Sequence, residues 1–184
     1  QQPEAGTIQL GLRTLKGLIW IELSWRAEAP RLVQIPPPLK TGAKSTLAQQ
    51  IQHGLMGMAL IKINQYRFER IVEFELAKRP NQPSEKTLIL ELMGRHSNFL
   101  LLDKSKKVIT IGKQVRNNES RVRPISTGDI YSSPPLLKGI EPNSKESLEE
   151  WKKTLCLMKG SLKSSLQKCF QGISPTLATQ LTNK

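Results

Sequence analysis

A polar segment, Gly94 to Asn98, separates two apolar runs near the middle of the sequence. It contains an arginine, a histidine and an asparagine, Arg95, His96 and Asn98. Guanidinium and amide groups hydrogen-bond phosphate oxygens and base edges, whereas a plain turn needs only a glycine and small polar residues. The segment therefore predicts either contacts to RNA or a hydrogen-bonded corner that holds a turn at Gly94.

Other residues of the same chemistry flank this segment. Nucleic-acid recognition combines guanidinium groups with aromatic rings for stacking, and both must be held on a rigid support. The chain offers five such candidates: Tyr66, Arg67, Arg70, Arg121 and Arg123. Spacing alone leaves open whether the strands bring them together.

The charge balance favours an anionic partner. The 184 residues contain 28 Lys and Arg against 15 Asp and Glu, a net charge of +13. Each phosphate that a cation neutralises releases condensed counterions, so such an excess promotes binding to nucleic acid, although solubility is the alternative explanation. The segment from Gly94 to Pro124 alone holds eight basic and two acidic residues.

Catalytic and metal-binding patterns are missing from the sequence. His53 and His96 are the only histidines, and neither has a second ligand at metal spacing. No P-loop, dinucleotide-binding fingerprint or nucleophile elbow occurs. Glu73 and Glu75 lie two apart on one strand face, a pattern typical of a solvated surface. We therefore expect a binding protein and not an enzyme, with no cofactor and no metal.

The cellular compartment follows from two further patterns. Cys156 and Cys169 are the only cysteines, and both lie in apolar, helix-like sequence where free thiols are common. No apolar run reaches the roughly 20 residues that span a bilayer. These patterns predict a soluble protein of a reducing compartment, with no membrane partner.

Apolar periodicity predicts a β-rich first part. Alternating or continuous apolar runs predict eight strands: Thr7 to Thr14, Leu18 to Trp25, Arg31 to Ile35, Ala59 to Gln65, Arg70 to Lys78, Lys86 to Met93, Ser97 to Asp103 and Lys107 to Ile111. The unbroken run Phe99 to Leu102 predicts a strand that is covered on both faces. Together these strands indicate a β-sandwich or a strongly curved sheet, with a covering helix from about Ser45 to Met58.

The second part of the chain has a helical pattern. Proline and glycine make 119–143 an irregular crossing, after which Ser147 and Glu150 form a capping box. A later helix ends near Gly172, and Pro175 opens another. This arrangement predicts either a helix-hairpin-helix unit, which offers backbone N–H groups to phosphate, or an ordinary αα-hairpin. We predict a β-rich domain over 1–135 and a linker plus helical region over 136–184.

Several spaced motifs resemble one protein family. They are "LAQQIQHGLMG" at 47–57, "ELMGRHSNFLLLD" at 91–103, "SRVRPISTGDIYSSPP" at 120–135 and "FQGISP" at 170–175. With its motifs in this order, the chain resembles the NFACT-N domain of the fibronectin-binding protein A-like family, which includes RqcH and NEMF. The residues within the motifs look most like those of the cyanobacterial and plastid branch. The resemblance covers essentially the whole chain.

The resemblance implies both a fold and a function. The implied fold is α+β, a curved β-sandwich-like sheet with a covering helix, like the N-terminal domain of formamidopyrimidine-DNA glycosylases, followed by a helix-hairpin-helix region. The implied function is ribosome-associated quality control. Family members bind large ribosomal subunits that carry stalled peptidyl-tRNA and recruit tRNA for untemplated alanine tailing, in the cytoplasm or, in a plant, the plastid stroma.

The resemblance also assigns residues. The family's Asp-Arg dipeptide, linked to tRNA binding, falls on Glu69-Arg70, and its Glu-hydrophobic-Met stretch falls on Glu91 to Met93. Its Arg-Lys-His run falls on 52–54, where this chain has Gln, His and Gly and so lacks two cations. Together with the residue-based candidates, the predicted RNA-binding set is Glu69, Arg70, Glu91, Met93, Arg95, His96, Asn98, Arg121 and Arg123.

Two other functions compete with RNA binding. A DNA glycosylase-like activity is suggested by the implied fold and by Pro3-Glu4, but a proline amine is a nucleophile only as the first residue, and Pro3 follows two glutamines. A fibronectin-binding adhesin is suggested by the family's older name. We do not expect the glycosylase, because of the position of Pro3. We do not expect the adhesin, because the sequence shows no signal peptide, no anchor motif and no disulfide framework.

Overall fold

The computed structural model describes residues 1–40, 45–118, 120 and 123–183. The chain divides into two compact units. The first comprises Gln1–Tyr66 and Arg70–Ser132, and the second comprises Arg67–Glu69 and Ser133–Lys184. The assignment of a three-residue segment, Arg67–Glu69, to the second unit was not anticipated from the sequence.

The first unit begins with an antiparallel sheet in the order β1-β2-β3. Its strands are β1 (Thr7–Thr14), β2 (Gly17–Ser24) and β3 (Arg31–Ile35). A two-residue turn joins β1 to β2, because Thr14 pairs with Gly17. Gly17 has a φ of 122°, which a residue with a side chain rarely adopts.

Helix α1 (Thr46–Leu55) leads into a second antiparallel sheet in the order β4-β5-β6-β7-β8. Its strands are β4 (Ala59–Asn64), β5 (Ile71–Ala77), β6 (Lys86–Glu91), β7 (Asn98–Asp103) and β8 (Val108–Ile111). The eight predicted strands and the covering helix are confirmed, with ends that shift by up to a few residues. The predicted α+β class is also confirmed. Of the two predicted arrangements, a β-sandwich and a strongly curved sheet, the β-sandwich describes the two sheets.

The main core lies between the two sheets and α1. Side chains from both sheets meet there, and Trp25 stacks on Phe99 with ring centroids 5.0 Å apart. Helix α1 packs so closely that a Cβ atom at Gly54 would lie 2.5 Å from Leu101 Cδ2. The alternation of β5 accounts for its orientation, since Val72 and Phe74 face this core.

A second core covers the opposite face of the five-stranded sheet. It includes Ile89, Leu100 and Leu102 from the sheet, and Ile125 and Tyr131 from the irregular segment that follows β8. Strand β7 is therefore buried on both faces, as its continuous apolar run predicts. Phe99, Leu100 and Leu101 are completely inaccessible to solvent.

The second unit contains three helices: α2 (Leu148–Cys156), α3 (Leu162–Cys169) and α4 (Pro175–Thr182). The predicted capping box is present, because Ser147 Oγ accepts from the Glu150 N–H and Glu150 Oε2 accepts from the Ser147 N–H. Trp151 stacks on Phe170 with centroids 4.1 Å apart. Among the described residues, no helix is long and apolar enough to cross a membrane.

Replacement of Phe99 by alanine tests the main core. We expect Phe99→Ala to lower the free energy of unfolding by about 3–5 kcal/mol, because the cavity next to Trp25 cannot collapse between two packed layers. Urea denaturation measures the change. Ile63→Ala is the control, since Ile63 is 56% exposed and its truncation should cost less than about 1 kcal/mol. Equal costs for the two variants would contradict the two-sided burial of β7.

Candidate nucleic-acid interface

One end of the five-stranded sheet gathers several of the predicted residues. Ile71 pairs with Glu91, Glu91 pairs with Asn98, and the Leu92 N–H donates to the Arg70 carbonyl at 2.8 Å. The start of β5, the end of β6 and the start of β7 therefore lie side by side. We call this edge, with Arg70, Arg95 and Lys113 as its exposed cations, the Arg70 end.

A one-turn 3-10 helix, Gly94–His96, connects β6 to β7 at this end. Gly94 has a φ of 56°, so the turn requires the left-handed conformation that glycine adopts without strain. The Met93 N–H donates to Ser97 Oγ at 2.8 Å, which closes the turn from the other side. Both features fix the backbone from which the Arg95 and His96 side chains project.

Asn98 is an internal anchor of the corner. Its Oδ1 accepts from the backbone N–H groups of Phe99 and Lys113, each at 2.9 Å, and its Nδ2 donates to the Lys113 carbonyl at 2.7 Å. Only 3% of the residue is exposed. For Asn98, the structure therefore shows the contacts of a hydrogen-bonded corner, which ties β7 to the chain just after β8.

Arg95 and His96, by contrast, are exposed on the surface of the corner. Arg95 Nε donates to His96 Nε2 at 3.0 Å, a contact that does not use the two terminal guanidinium nitrogens. Arg70 is exposed as well. Within the described ranges, neither Arg70 nor Arg95 forms a salt bridge with a carboxylate. The two guanidinium groups are available to an external anion.

Glu91 and Arg123, both predicted to bind RNA, neutralise each other inside the first unit. Arg123 donates from both terminal nitrogens to the Glu91 carboxylate, at 2.9 and 2.6 Å, and its Nε donates to the Ser132 carbonyl at 2.8 Å. Glu91 is wholly buried. The Tyr131 hydroxyl donates to Glu91 at 3.0 Å, and the Arg123 guanidinium lies 5.1 Å from the centre of the Tyr131 ring.

This network holds the irregular segment after β8 against the sheet. Glu91 belongs to β6, whereas its two partners belong to that segment, so the ion pair clamps the segment across the sheet face. A buried carboxylate with a bidentate guanidinium and a phenol has its charge and its lone pairs satisfied. The contacts of Glu91 and Arg123 are thus internal, and a role for either in RNA binding stays a prediction.

The remaining predicted residues are dispersed. Met93 is half-buried and precedes the 3-10 helix. Glu69 belongs to the helical unit, where its Oε1 accepts from the Leu137 N–H at 2.9 Å. Arg67 belongs to the same unit and pairs with Glu141 at 3.3 Å. Arg121 lies outside the described residues.

Lys113 is the one cation of the Arg70 end that was not singled out from the sequence. Its backbone holds Asn98 from both sides, and its side chain is exposed. The signal that places it there is the pairing of β7 with β8, because the chain leaves β8 beside the start of β7. Among the described residues, no group of His, Cys, Asp or Glu is arranged to hold a metal ion.

The family comparison matches the complete chain. The family model of the NFACT N-terminal and middle domains aligns with residues 1–184. The chain belongs to this NFACT family. The resemblance inferred from the four motifs is thereby confirmed.

Similar proteins of known sequence carry the name Rqc2 homolog RqcH. The one from Streptococcus suis is 33% identical over 144 residues, which is 76% of this chain and 25% of that protein. The one from Bacillus subtilis is 31% identical over 127 residues, or 67% of this chain and 22% of that protein. The NFACT chain described here thus spans about a quarter of the length of these relatives.

Two solved structures share its fold. The N-terminal domain of fibronectin-binding protein PavA from Streptococcus pneumoniae has a TM-score of 0.78 and 27% identity, covering 98% of this chain and 68% of that one. The N-terminal part of the fibronectin/fibrinogen-binding protein from Streptococcus suis has a TM-score of 0.76 and 28% identity, with the same coverage. The fold of this chain is therefore shared with these two solved structures.

The Glu91–Arg123 pair predicts a large loss of stability when it is broken. We expect Arg123→Ala to lower the free energy of unfolding by about 3–5 kcal/mol, because it leaves a buried carboxylate without its counter-ion. The double variant Glu91→Gln/Arg123→Met should regain a substantial part of that loss. A small effect of Arg123→Ala in urea denaturation, or a double variant no better than the single one, would contradict the clamp.

The buried Tyr131 hydroxyl should lower the free energy of unfolding at alkaline pH. Burial, and then the neighbouring Glu91 carboxylate, raise the pKa of the Tyr131 hydroxyl far above its ordinary value of 10.0. Above pH 10 the unfolded chain loses this proton and the folded chain keeps it. The free energy of unfolding should therefore fall by about 1.4 kcal/mol per pH unit there. Tyr131→Phe should remove that part of the slope, whereas parallel pH profiles of the two proteins would show that Tyr131 ionises freely.

Proposed function

We propose that this chain is the RNA-binding part of a ribosome-associated quality-control factor and that it contacts tRNA with the Arg70 end. The observation that carries the proposal is the pair of exposed guanidinium groups, Arg70 and Arg95, at one end of a rigid sheet. The family supplies the context, because similar proteins are named Rqc2 homolog RqcH. The net charge of +13 supports an anionic partner.

The Arg70 end suits folded RNA for a physical reason. Guanidinium groups bind phosphate oxygens through paired N–H donors, and their value increases when the backbone beneath them is fixed. Here the Asn98 hydrogen bonds hold the corner, and the Glu91–Arg123 pair holds the adjoining segment. The backbone near Arg95 and Lys113 is therefore held in place, and we assign the phosphate contacts to Arg70, Arg95 and Lys113.

The partners follow from the family role. We propose that the complete protein binds the large ribosomal subunit carrying stalled peptidyl-tRNA, and that it recruits a tRNA for untemplated alanine tailing of the nascent chain. In this scheme the ribosome catalyses peptidyl transfer, so the protein acts by binding in the cytoplasm and is not an enzyme. Tailing belongs to the complete protein, since the relatives are about three times as long as this chain.

The chain departs from the family pattern in a way that concentrates binding at the Arg70 end. Two cations are missing at 52–54, where only His53 is ionisable. In addition, Glu69 lies in the helical unit and hydrogen-bonds Leu137, whereas Arg70 lies in the first unit. We therefore expect the first unit's own cations to supply most of the affinity for tRNA.

Binding to fibronectin is a second candidate, because the two solved neighbours are described as fibronectin-binding proteins. The test is direct. Immobilised fibronectin and immobilised tRNA are presented to the chain in one buffer of moderate salt. We expect saturable binding to tRNA and none to fibronectin at the same protein concentration. The opposite preference would favour the second candidate.

The principal prediction concerns Arg70 and Arg95. We expect each substitution, Arg70→Ala and Arg95→Ala, to weaken tRNA binding at least about tenfold, because each removes a charge-assisted contact to phosphate. Fluorescence anisotropy between about 50 and 200 mM KCl should also show the slope of log K against log[KCl] becoming shallower by about 0.7–0.9 per variant. Co-sedimentation with large ribosomal subunits should show the same ranking.

The control is Arg13→Ala, which removes an equal charge from an exposed position on the three-stranded sheet. Its tRNA affinity should stay close to that of the unmodified chain. If Arg70→Ala and Arg95→Ala behaved like this control, the proposed interface would be wrong.

A further inference from the structure

The basic segment between Gly94 and Pro124 is split by the fold. Strand β7 runs for six residues between Asn98 and Asp103, which at about 3.3 Å per residue separates its two ends by roughly 17 Å. Arg95 and Lys113 lie at the Arg70 end, whereas the turn Asp103–Lys107 lies at the opposite end. That turn carries Lys104, Lys106 and Lys107, and we call it the lysine turn.

The backbone of the lysine turn is fixed by its own hydrogen bonds. Asp103 Oδ1 accepts from the Ser105 N–H at 2.8 Å, from Ser105 Oγ at 2.6 Å and from the Lys107 N–H at 3.0 Å. The Lys106 carbonyl accepts from the Tyr131 N–H at 2.8 Å, which joins the turn to the covering segment. Three lysines are thus displayed from a rigid loop.

Lys106 occupies a position that favours a different residue. Its φ of 64° is left-handed, a conformation that glycine and asparagine adopt at lower cost. Mutual repulsion among three neighbouring ammonium groups also opposes folding. Neither the conformation of Lys106 nor the clustering of charge is therefore explained by stability.

The carboxylates near the lysine turn are already engaged. Glu85 pairs with Lys78 at 3.3 Å, and Asp129 Oδ2 accepts from the Ser126 N–H at 2.8 Å. Asp103 contributes one negative charge against the three lysines, and its Oδ1 is occupied by the turn. Arg79 adds another exposed cation at this end of the sheet. The described cations at this end therefore outnumber its carboxylates, and the excess charge is positive.

From these observations we infer that the lysine turn is a second, sequence-independent contact to the phosphate backbone of the RNA that the Arg70 end binds. The inference rests on the proposed function for the identity of that RNA. The two ends of β7 are roughly 17 Å apart, which is farther than one phosphate contact can reach. The Arg70 end and the lysine turn therefore bind different phosphates of one RNA molecule. Ammonium groups suit this role because they act as point charges and impose no base preference.

The test uses two triple variants of equal charge. One is Lys104→Gln/Lys106→Asn/Lys107→Gln. The control is Arg13→Gln/Lys16→Gln/Lys40→Gln, which neutralises three exposed cations on or next to the three-stranded sheet. Both are titrated with unmodified tRNA and with an unrelated RNA hairpin over the same range of KCl.

We expect the lysine-turn variant to bind both RNAs at least about tenfold more weakly, and its salt slope to become shallower by about 2 to 3, since up to three contacts are lost. The control should change much less. Thermal unfolding should show the lysine-turn variant to be as stable as the unmodified chain or more so, because asparagine suits the left-handed position. Loss of binding then cannot arise from loss of folding.

The outcomes separate this inference from the proposed function. Equal effects of the two triple variants would overturn the inference, because net charge alone would then explain binding. An unaffected lysine-turn variant alongside weakened Arg70→Ala would overturn it and leave the proposed function intact. A weakened lysine-turn variant alongside an unaffected Arg70→Ala would support the lysine turn and refute the assigned interface.

Discussion

The covering of the five-stranded sheet depends on the wholly buried carboxylate of Glu91. Glu91 ends the central strand β6, and a carboxylate without any exposure to water has to find its counter-ion within the fold. Arg123 and Tyr131 meet that demand from the chain after β8, whose described residues form isolated β-bridges. The same contacts that neutralise Glu91 thus draw this segment across the sheet and complete the second core, so that β7 becomes buried on both faces.

The position of the corner follows from strand pairing. Because β8 pairs with β7, Lys113 lies where its backbone can take up both hydrogen-bonding groups of Asn98. The Met93–Ser97 hydrogen bond and the Asn98 contacts hold the chain on both sides of the 3-10 helix from which Arg95 projects.

Much of this fold could be predicted from the sequence, and the contacts that could not be predicted have physical causes. The spacing of apolar residues predicted the eight strands that the structure describes. The unbroken apolar run Phe99 to Leu102 predicted a strand that is buried on both faces, because apolar spacing depends on which faces are exposed to solvent. The destination of Arg123 could not be read in this way. An arginine that pairs with a buried glutamate has the same local sequence as one that faces solvent, and only the tertiary contact distinguishes them.

The fold also separates residues that are close together in the sequence. Glu69 and Arg70 are adjacent in sequence but belong to different compact units. The basic segment between Gly94 and Pro124 is continuous in sequence, yet β7 places its two halves at opposite ends of the sheet. Residues that are close in sequence can therefore lie far apart on the surface. Each residue of a strand advances the chain by about 3.3 Å, so six residues separate the two ends by much more than one side-chain contact.

The close approach of α1 to Leu101 has a consequence for the residues that position 54 tolerates. A Cβ atom at this position would lie 2.5 Å from Leu101 Cδ2, and Leu101 has no exposed surface. A residue with a side chain at position 54 therefore requires the Leu101 side chain to shift or to become smaller. The residues tolerated at positions 54 and 101 thus depend on each other.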